Sequence, residues 1–188
     1  MNAFKILEVT PSPIVDFEEL KTSFHRLSEK LRSNHTDGDV AELNQAYELL
    51  QNRPNRLKAL LAINGVSENQ LTGAKKVPEP MADLCMLIGG IWHDVDLFLK
   101  DAENYTNLER ALAATKALDL LDKLQDLQQK LMIKSTEMHK QLETLNVKWK
   151  EVDAVLLNEL KNFYLEDVYL SKWMEQLDER MFRLSQMV

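Results

Sequence analysis

The amino-acid sequence predicts an all-α fold, and two features of the chain support that prediction. Glycine and proline, which most often interrupt helices, occur five times each, and neither appears after Gly90. Apolar residues recur three, four or seven positions apart along most of the chain, which is the spacing of one buried helix face. No segment shows the strict apolar–polar alternation that is typical of a half-buried strand.

The first part of the chain is expected to form four helices, near residues 3–9, 17–33, 39–52 and 54–64. Asp16 precedes Glu19 by three residues, as at the start of a capped helix, and Asp39 and Glu42 repeat that spacing. Gly65 follows the last of these helices and is expected to end it in the left-handed conformation.

Two domains are expected, joined by a linker. The N-terminal helical domain spans residues 1–66, and residues 67–79 form the linker because they are rich in glycine, proline and polar residues. Residues 80–188 are expected to form a three-helix bundle. A single unbroken helix would leave the long apolar repeat of this half exposed, so we place a turn near Asn146.

Composition limits the classes of function. The chain has 188 residues, 45% hydrophobic and 28% charged, with a formal net charge of -7. The negative charge argues against a nucleic-acid partner. Residues 1–8 do not resemble a signal peptide, and no apolar run reaches the length of a membrane span, so we expect a cytoplasmic protein without a membrane partner. Cys85 lies in an apolar run and is expected to be buried.

No catalytic constellation is visible in the sequence. The chain lacks a glycine-rich phosphate loop, a nucleophile elbow and a paired-cysteine site. His93, Asp94 and Asp96 are adjacent, but their helical spacing does not converge on one metal ion as an i, i+4 pair does. We therefore expect a protein that is not an enzyme and that uses no metal and no cofactor. An enzyme remains the alternative only if folding brings distant acidic residues together.

Four segments, taken in order, carry a resemblance to a known family. They are "FKILEVTPSP" (4–13), "NQAYELL" (44–50), "NRLKALLAING" (55–65) and "YLSKWMEQL" (169–177). Together they resemble the HscB-type J-domain co-chaperones of iron–sulfur cluster assembly. The resemblance implies an N-terminal J-domain-like helical hairpin domain followed by a three-helix bundle, and a function in binding other proteins.

The resemblance also implies a DnaK/HscA-type chaperone ATPase as the partner of the N-terminal domain. In the family, a basic second helix binds an acidic groove of that ATPase, and the loop after it completes the contact. Helical geometry places Lys21, His25 and Arg32 on one flank of the second helix and Arg26 and Lys30 on the other. The residues expected to bind the chaperone are Lys21, His25, Arg26, Lys30, Arg32, His35 and Asp37.

The triplet His35-Thr36-Asp37 occupies the polar loop 33–38, where the family carries His-Pro-Asp. The family spacing, counted from Phe24, falls on Arg32 to Asn34, three residues earlier. Threonine also replaces the proline that would fix the turn. Either the loop has shifted and still functions, or the motif has been lost and stimulation of the ATPase is weakened.

A second partner is implied for the bundle. In the family, exposed apolar residues of its first helix, with nearby acidic residues, hold the iron–sulfur scaffold protein. The acidic residues are mostly absent here, and burial within the bundle explains much of the apolar character. The corresponding client-binding residues are Met81, Leu84, Met86, Leu87 and Ile91. The alternative function is a diverged helical interaction or scaffold module with a J-like shape and no chaperone stimulation.

Overall fold

The computed structural model describes residues 2–34, 37–72 and 77–187, and within these ranges the protein is built from helices without a strand. The predicted all-α class is confirmed. The α-helices are α1 (Ala3–Ile6), α2 (Phe17–Asn34), α3 (Asp37–Gln51), α4 (Arg53–Ile63), α5 (Glu68–Thr72), α6 (Ala82–Ala102), α7 (Asn107–Lys148) and α8 (Ala154–Ser185), and a 3-10 turn spans Glu79–Met81.

Several helix ends follow from local side-chain chemistry. The Asp16 carboxylate accepts hydrogen bonds from the backbone N–H groups of Glu18 and Glu19 at 2.8 and 3.3 Å, which caps α2. Thr106 and Glu109 cap α7 reciprocally, at 2.7 Å from Thr106 N to Glu109 Oε2 and 3.3 Å from Glu109 N to Thr106 Oγ1. The bonds from the Thr106 backbone and hydroxyl hold the pKa of Glu109 below its usual value.

Two expectations about helix boundaries are wrong, and one short helix, α5, was not predicted and lies within the segment expected to be a linker. Helix α3 begins at Asp37, so Asp39 lies inside its first turn instead of capping it, and α2 continues to Asn34, inside the predicted loop 33–38. The turn placed near Asn146 falls at residues 149–153, because Asn146 is helical and Asp153 caps α8 through a 2.7 Å bond from Leu156 N.

Contacts divide the chain into two compact units. Unit 1 combines residues 1–75 with 139–165, and unit 2 combines residues 76–138 with 166–188. Unit 1 therefore contains the predicted N-terminal domain together with the end of α7 and the beginning of α8.

Unit 1 is organised around α3, on which α1, α2 and α4 all pack. A hydrogen bond of 3.0 Å from Ile14 N to the Asn146 side-chain oxygen fastens the loop before α2 to α7. The buried apolar residues of this unit include Leu20, Leu43, Leu50, Leu57, Leu60, Leu142, Leu145, Leu160 and Phe163.

Unit 2 is a helical bundle made from α6 and parts of α7 and α8. Its buried residues recur at spacings of seven or of three and four, as expected where helices pack along one stripe. They include Met81, Ile88, Val95 and Ala102 near and along α6, Leu120, Leu124, Leu127 and Leu131 on α7, and Leu170, Leu177 and Leu184 on α8.

Two glycines allow one substitution to be tested in opposite environments. Gly65 ends α4 with φ at +84°, and Gly65 N–H and Val66 N–H donate to the Ala62 and Leu61 carbonyls at 3.1 and 3.0 Å. Gly89 is helical and exposed, and a Cβ added there would meet no atom within 4 Å.

We expect Gly89→Ala to raise the free energy of unfolding by about 1 kcal/mol, because alanine is the better helix former. Gly65→Ala is expected to lower it by about 1 kcal/mol, because an L side chain is strained at positive φ. Chemical denaturation of both variants checks the signs. Equal shifts in the same direction would show that backbone conformation does not decide the effect.

Candidate protein-interaction surfaces

Helices α2 and α3 pack on each other, and residues 35–36 separate them in the sequence. The rings of Phe24 and Tyr47 stack across the pair with centroids 4.3 Å apart. Leu27 and Leu43 are buried on the two helices at similar distances from the connection. This packing therefore buries the apolar face of α2 and leaves its polar face exposed.

The cations predicted to bind a chaperone all lie on the exposed part of α2. The side chains of Lys21, His25 and Arg32 are exposed on one flank, and none of them forms an ion pair with another described residue. On the other flank, Arg26 and Lys30 are also exposed. The structure thus places five of the predicted residues on one helix and separates them into two groups.

Arg26 differs from Lys21, His25 and Arg32 because it has an acidic partner among the described residues. Its Nη2 lies 2.6 Å from Glu8 Oε2 and 3.3 Å from Ser23 Oγ. The Ser23 hydroxyl is buried and donates to the Leu7 carbonyl. Arg26, by hydrogen bonding and by its charge, lowers the pKa of Glu8, and the charge of Lys30 adds to this effect.

The predicted loop residues are only partly within the described chain. His35 and Thr36 lie outside the described residues. Asp37 is the first residue of α3, so its backbone belongs to a helix and not to a loop, and its side chain lies outside the description.

The apolar residues predicted to bind a client divide into buried and exposed members. Met81 is fully buried, which removes it from the candidate surface; it lies seven residues before the buried Ile88 and continues the same core stripe. Met86 and Leu87 are 79% and 38% exposed. Leu84 and Ile91 are half-buried, as is Cys85, so the expectation of a fully buried thiol is wrong.

The exposed members line a groove of about 590 Å³ between α6 and α7. Its apolar lining residues include Leu87, Ile91 and Leu127. Lys123 also lines the groove, and its Nζ lies 3.9 Å from Asp94 Oδ2. The sequence did not predict that α7 contributes one side of this groove, because the apolar residues of α7 were all assigned to the core. The sequence did carry a signal for this side of the groove, because the charged residues Lys123, Asp126 and Lys130 surround the apolar Leu127 on α7. The groove is lined by Met86, Leu87, Gly90, Ile91, His93, Asp94, Lys123, Asp126, Leu127 and Lys130.

The adjacent His93, Asp94 and Asp96 do not form one site. Asp94 faces Lys123, whereas the Asp96 carboxylate is bound by Arg180 through two bonds of 2.9 and 2.8 Å. In the described ranges, no group of three or more histidine, cysteine or acidic side chains is arranged to hold a metal ion. Over the same ranges, no helix combines the length and the apolar character needed to cross a bilayer.

Comparison with known proteins returns no match. No family model matches the chain, and neither curated proteins nor solved structures match it. The resemblance to the HscB-type co-chaperones therefore depends on the four quoted segments and on the physical properties of the surfaces described above.

Proposed function

We propose that this protein is a cytoplasmic, J-domain-like co-chaperone of the HscB type that works by binding and not by catalysis. Its α2–α3 hairpin binds a DnaK/HscA-type chaperone ATPase. Residues 80–188, in the proposal a three-helix bundle, present a client such as an iron–sulfur scaffold protein. The observation that carries the proposal is the contact between α2 and α3 together with the exposure of Lys21, His25 and Arg32 on one flank of α2.

The cationic flank provides a mechanism for finding the chaperone. Exposed charges attract an acidic groove over a distance comparable to the Debye length, which is about 8 Å at physiological ionic strength. Such attraction raises the association rate more than it strengthens the final complex, and added salt weakens it. Glu18, Glu19 and Glu29 are exposed on the same helix and reduce the net positive charge.

The α6–α7 groove supports the second half of the proposal. Met86 and Leu87 expose apolar surface in a groove that is also lined by the apolar residues Ile91 and Leu127. Amphipathic helices bind apolar grooves of this kind. A flexible methionine adapts to different partner side chains. Met86, Leu87, Ile91 and Leu84 are the proposed client contacts, and Met81 is not among them.

Stimulation of the ATPase is proposed to be weak. The sequence has threonine where the family has proline, and its His-x-Asp triplet is displaced by three residues. Helix α3 begins at Asp37, so the aspartate of the triplet belongs to a helix. This placement favours the second candidate function, a helical interaction or scaffold module that has the J-like shape and gives no stimulation.

An ATPase assay with a DnaK/HscA-type chaperone separates the two functions. The proposal predicts binding and a small increase in the rate of ATP hydrolysis. The double charge reversal Lys21→Glu with Arg32→Glu is expected to weaken binding by on the order of tenfold, or about 1.4 kcal/mol. Lys140→Glu with Lys172→Glu is the matched control, because both lysines are exposed on other helices and the change in charge is the same.

The displaced triplet is tested in the same assay. His35→Ala is expected to change the free energy of unfolding by less than about 0.5 kcal/mol. Asp37→Ala is expected to lower it by up to about 1 kcal/mol, because an acidic residue stabilises the first turn of a helix, and neither substitution is expected to change binding. Strong stimulation by the wild type that either substitution abolishes would show that the displaced triplet functions as the family motif does. A wild type that does not bind the chaperone would leave the scaffold module as the better proposal.

A further inference from the structure

Glu8 has an unusual backbone conformation for its residue type. Its φ is +53°, and it is the one non-glycine residue in the described chain with positive φ. Glycine adopts this conformation without strain, whereas a residue with a Cβ does not. A strained residue persists when its surroundings hold it there, and such residues concentrate at functional sites. The side chain of Glu8 supplies a reason for its presence, because it binds Arg26.

The ion pair makes the two flanks of α2 unequal. On one flank, Lys21 and Arg32 have no acidic partner among the described residues. On the other, Arg26 is engaged at 2.6 Å by Glu8, whose charge also offsets that of the nearby Lys30. An acidic partner that approached Arg26 would have to displace Glu8 or face its negative charge.

We infer that Glu8, by binding Arg26 on one flank of α2, directs an acidic protein surface to the opposite flank. That flank is formed by Lys21, His25 and Arg32. The inference rests on the proposed function and deepens it, since it names the half of α2 that a carboxylate-lined groove contacts. Glu8 is a specificity-determining residue in this arrangement. It does not touch the partner itself.

Two arginines on the same helix allow a matched test. Arg32→Gln and Arg26→Gln remove the same side chain and the same charge from exposed positions. We expect Arg32→Gln to weaken binding about fivefold and Arg26→Gln to weaken it less than twofold. Glu8→Gln is expected to tighten binding about threefold, because Arg26 is then available. In that background, Arg26→Gln should weaken binding about fivefold.

Two probes are used with the full chain, a DnaK/HscA-type chaperone ATPase and an oligoglutamate peptide, at low and high salt. Equal effects of Arg26→Gln and Arg32→Gln on either probe overturn the inference, and chaperone binding by the wild type still supports the proposed function. If the chaperone does not bind but oligoglutamate shows the expected pattern, the proposed function fails and the inference holds. If neither probe binds, both are overturned.

A purely structural role for the ion pair gives a different result. In that case Glu8→Gln lowers the melting temperature and leaves both affinities unchanged, which overturns the inference. The single variant Glu8→Gln decides the question even if Arg26→Gln does not fold, because it keeps the shape of the side chain and removes only its charge.

Discussion

Replacing Arg56 with methionine is expected to lower the free energy of unfolding by about 3 kcal/mol. Arg56 is only 4% exposed, and its guanidinium donates from Nη1 to the Leu50 carbonyl at 2.6 Å and from Nε to the Pro13 carbonyl at 3.2 Å. The Leu50 carbonyl lies in the last turn of α3, where it has no partner in its own helix. Methionine fills similar space but leaves both buried acceptors without these donors.

Urea denaturation followed by circular dichroism measures the loss. Arg56→Lys is the informative companion, because it keeps the positive charge and loses the planar fork that reaches two carbonyls at once. We expect its loss to be intermediate. Arg183→Met is the control at an exposed position and should change stability by less than about 0.5 kcal/mol. An Arg56→Met protein as stable as this control would show that water or local rearrangement satisfies both carbonyls.

Arg180→Met in unit 2 is expected to cost about 2 kcal/mol. The Arg180 side chain is 16% exposed, forms two bonds with the Asp96 carboxylate, and donates to the Gln176 carbonyl at 3.1 Å. Its guanidinium also lies 4.5 Å from the centre of the Trp92 ring. The indole N–H of Trp92 is buried and has no acceptor among the described residues, and the guanidinium, which only donates hydrogen bonds, does not satisfy it.

The two parts of this contact can be separated by substitution. Asp96 is half exposed, and solvent screening reduces its share, so Asp96→Asn should cost less than about 1 kcal/mol. Arg180→Lys keeps the charge and loses the planar contact with Trp92, and we expect most of the loss to remain. The fluorescence of Trp92 should change in both Arg180 variants. If Asp96→Asn costs as much as Arg180→Met, the ion pair and not the ring contact is the main interaction.

Local features of the sequence predicted much of the fold. The spacing of apolar residues located the long helices, and Asp16 with Glu19 and Gly65 marked ends that the structure retains. Features that depend on distant residues were not predictable in this way. Asn146 looks like a turn residue, but its side chain bonds to Ile14 N and it remains helical. Nothing near either residue in the chain indicates that pairing.

The candidate surfaces were predictable where helical geometry alone decides exposure. The two flanks of α2 follow from residue spacing, and the structure exposes all five of the predicted residues on this helix. The ion pair between Arg26 and Glu8 could not be inferred, because it depends on how α1 and α2 meet. Met81 could have been recognised as buried, since Met81, Ile88, Val95 and Ala102 recur every seven residues. The burial of Arg56 has no such signal, because two of the acceptors that its guanidinium reaches are the backbone carbonyls of Pro13 and Leu50.

The composition of unit 1 has a consequence for the order in which the protein matures during synthesis. A ribosome makes α2 and α3 early, but the buried residues Leu142, Trp149 and Phe163 of the same unit are added only after all of residues 76–138. Until then, the nascent helices expose apolar surface that the finished unit covers, and closing so long a segment carries an entropic cost. A surface borne by α2 is therefore held in its final form only after the residues up to about 165 have been made.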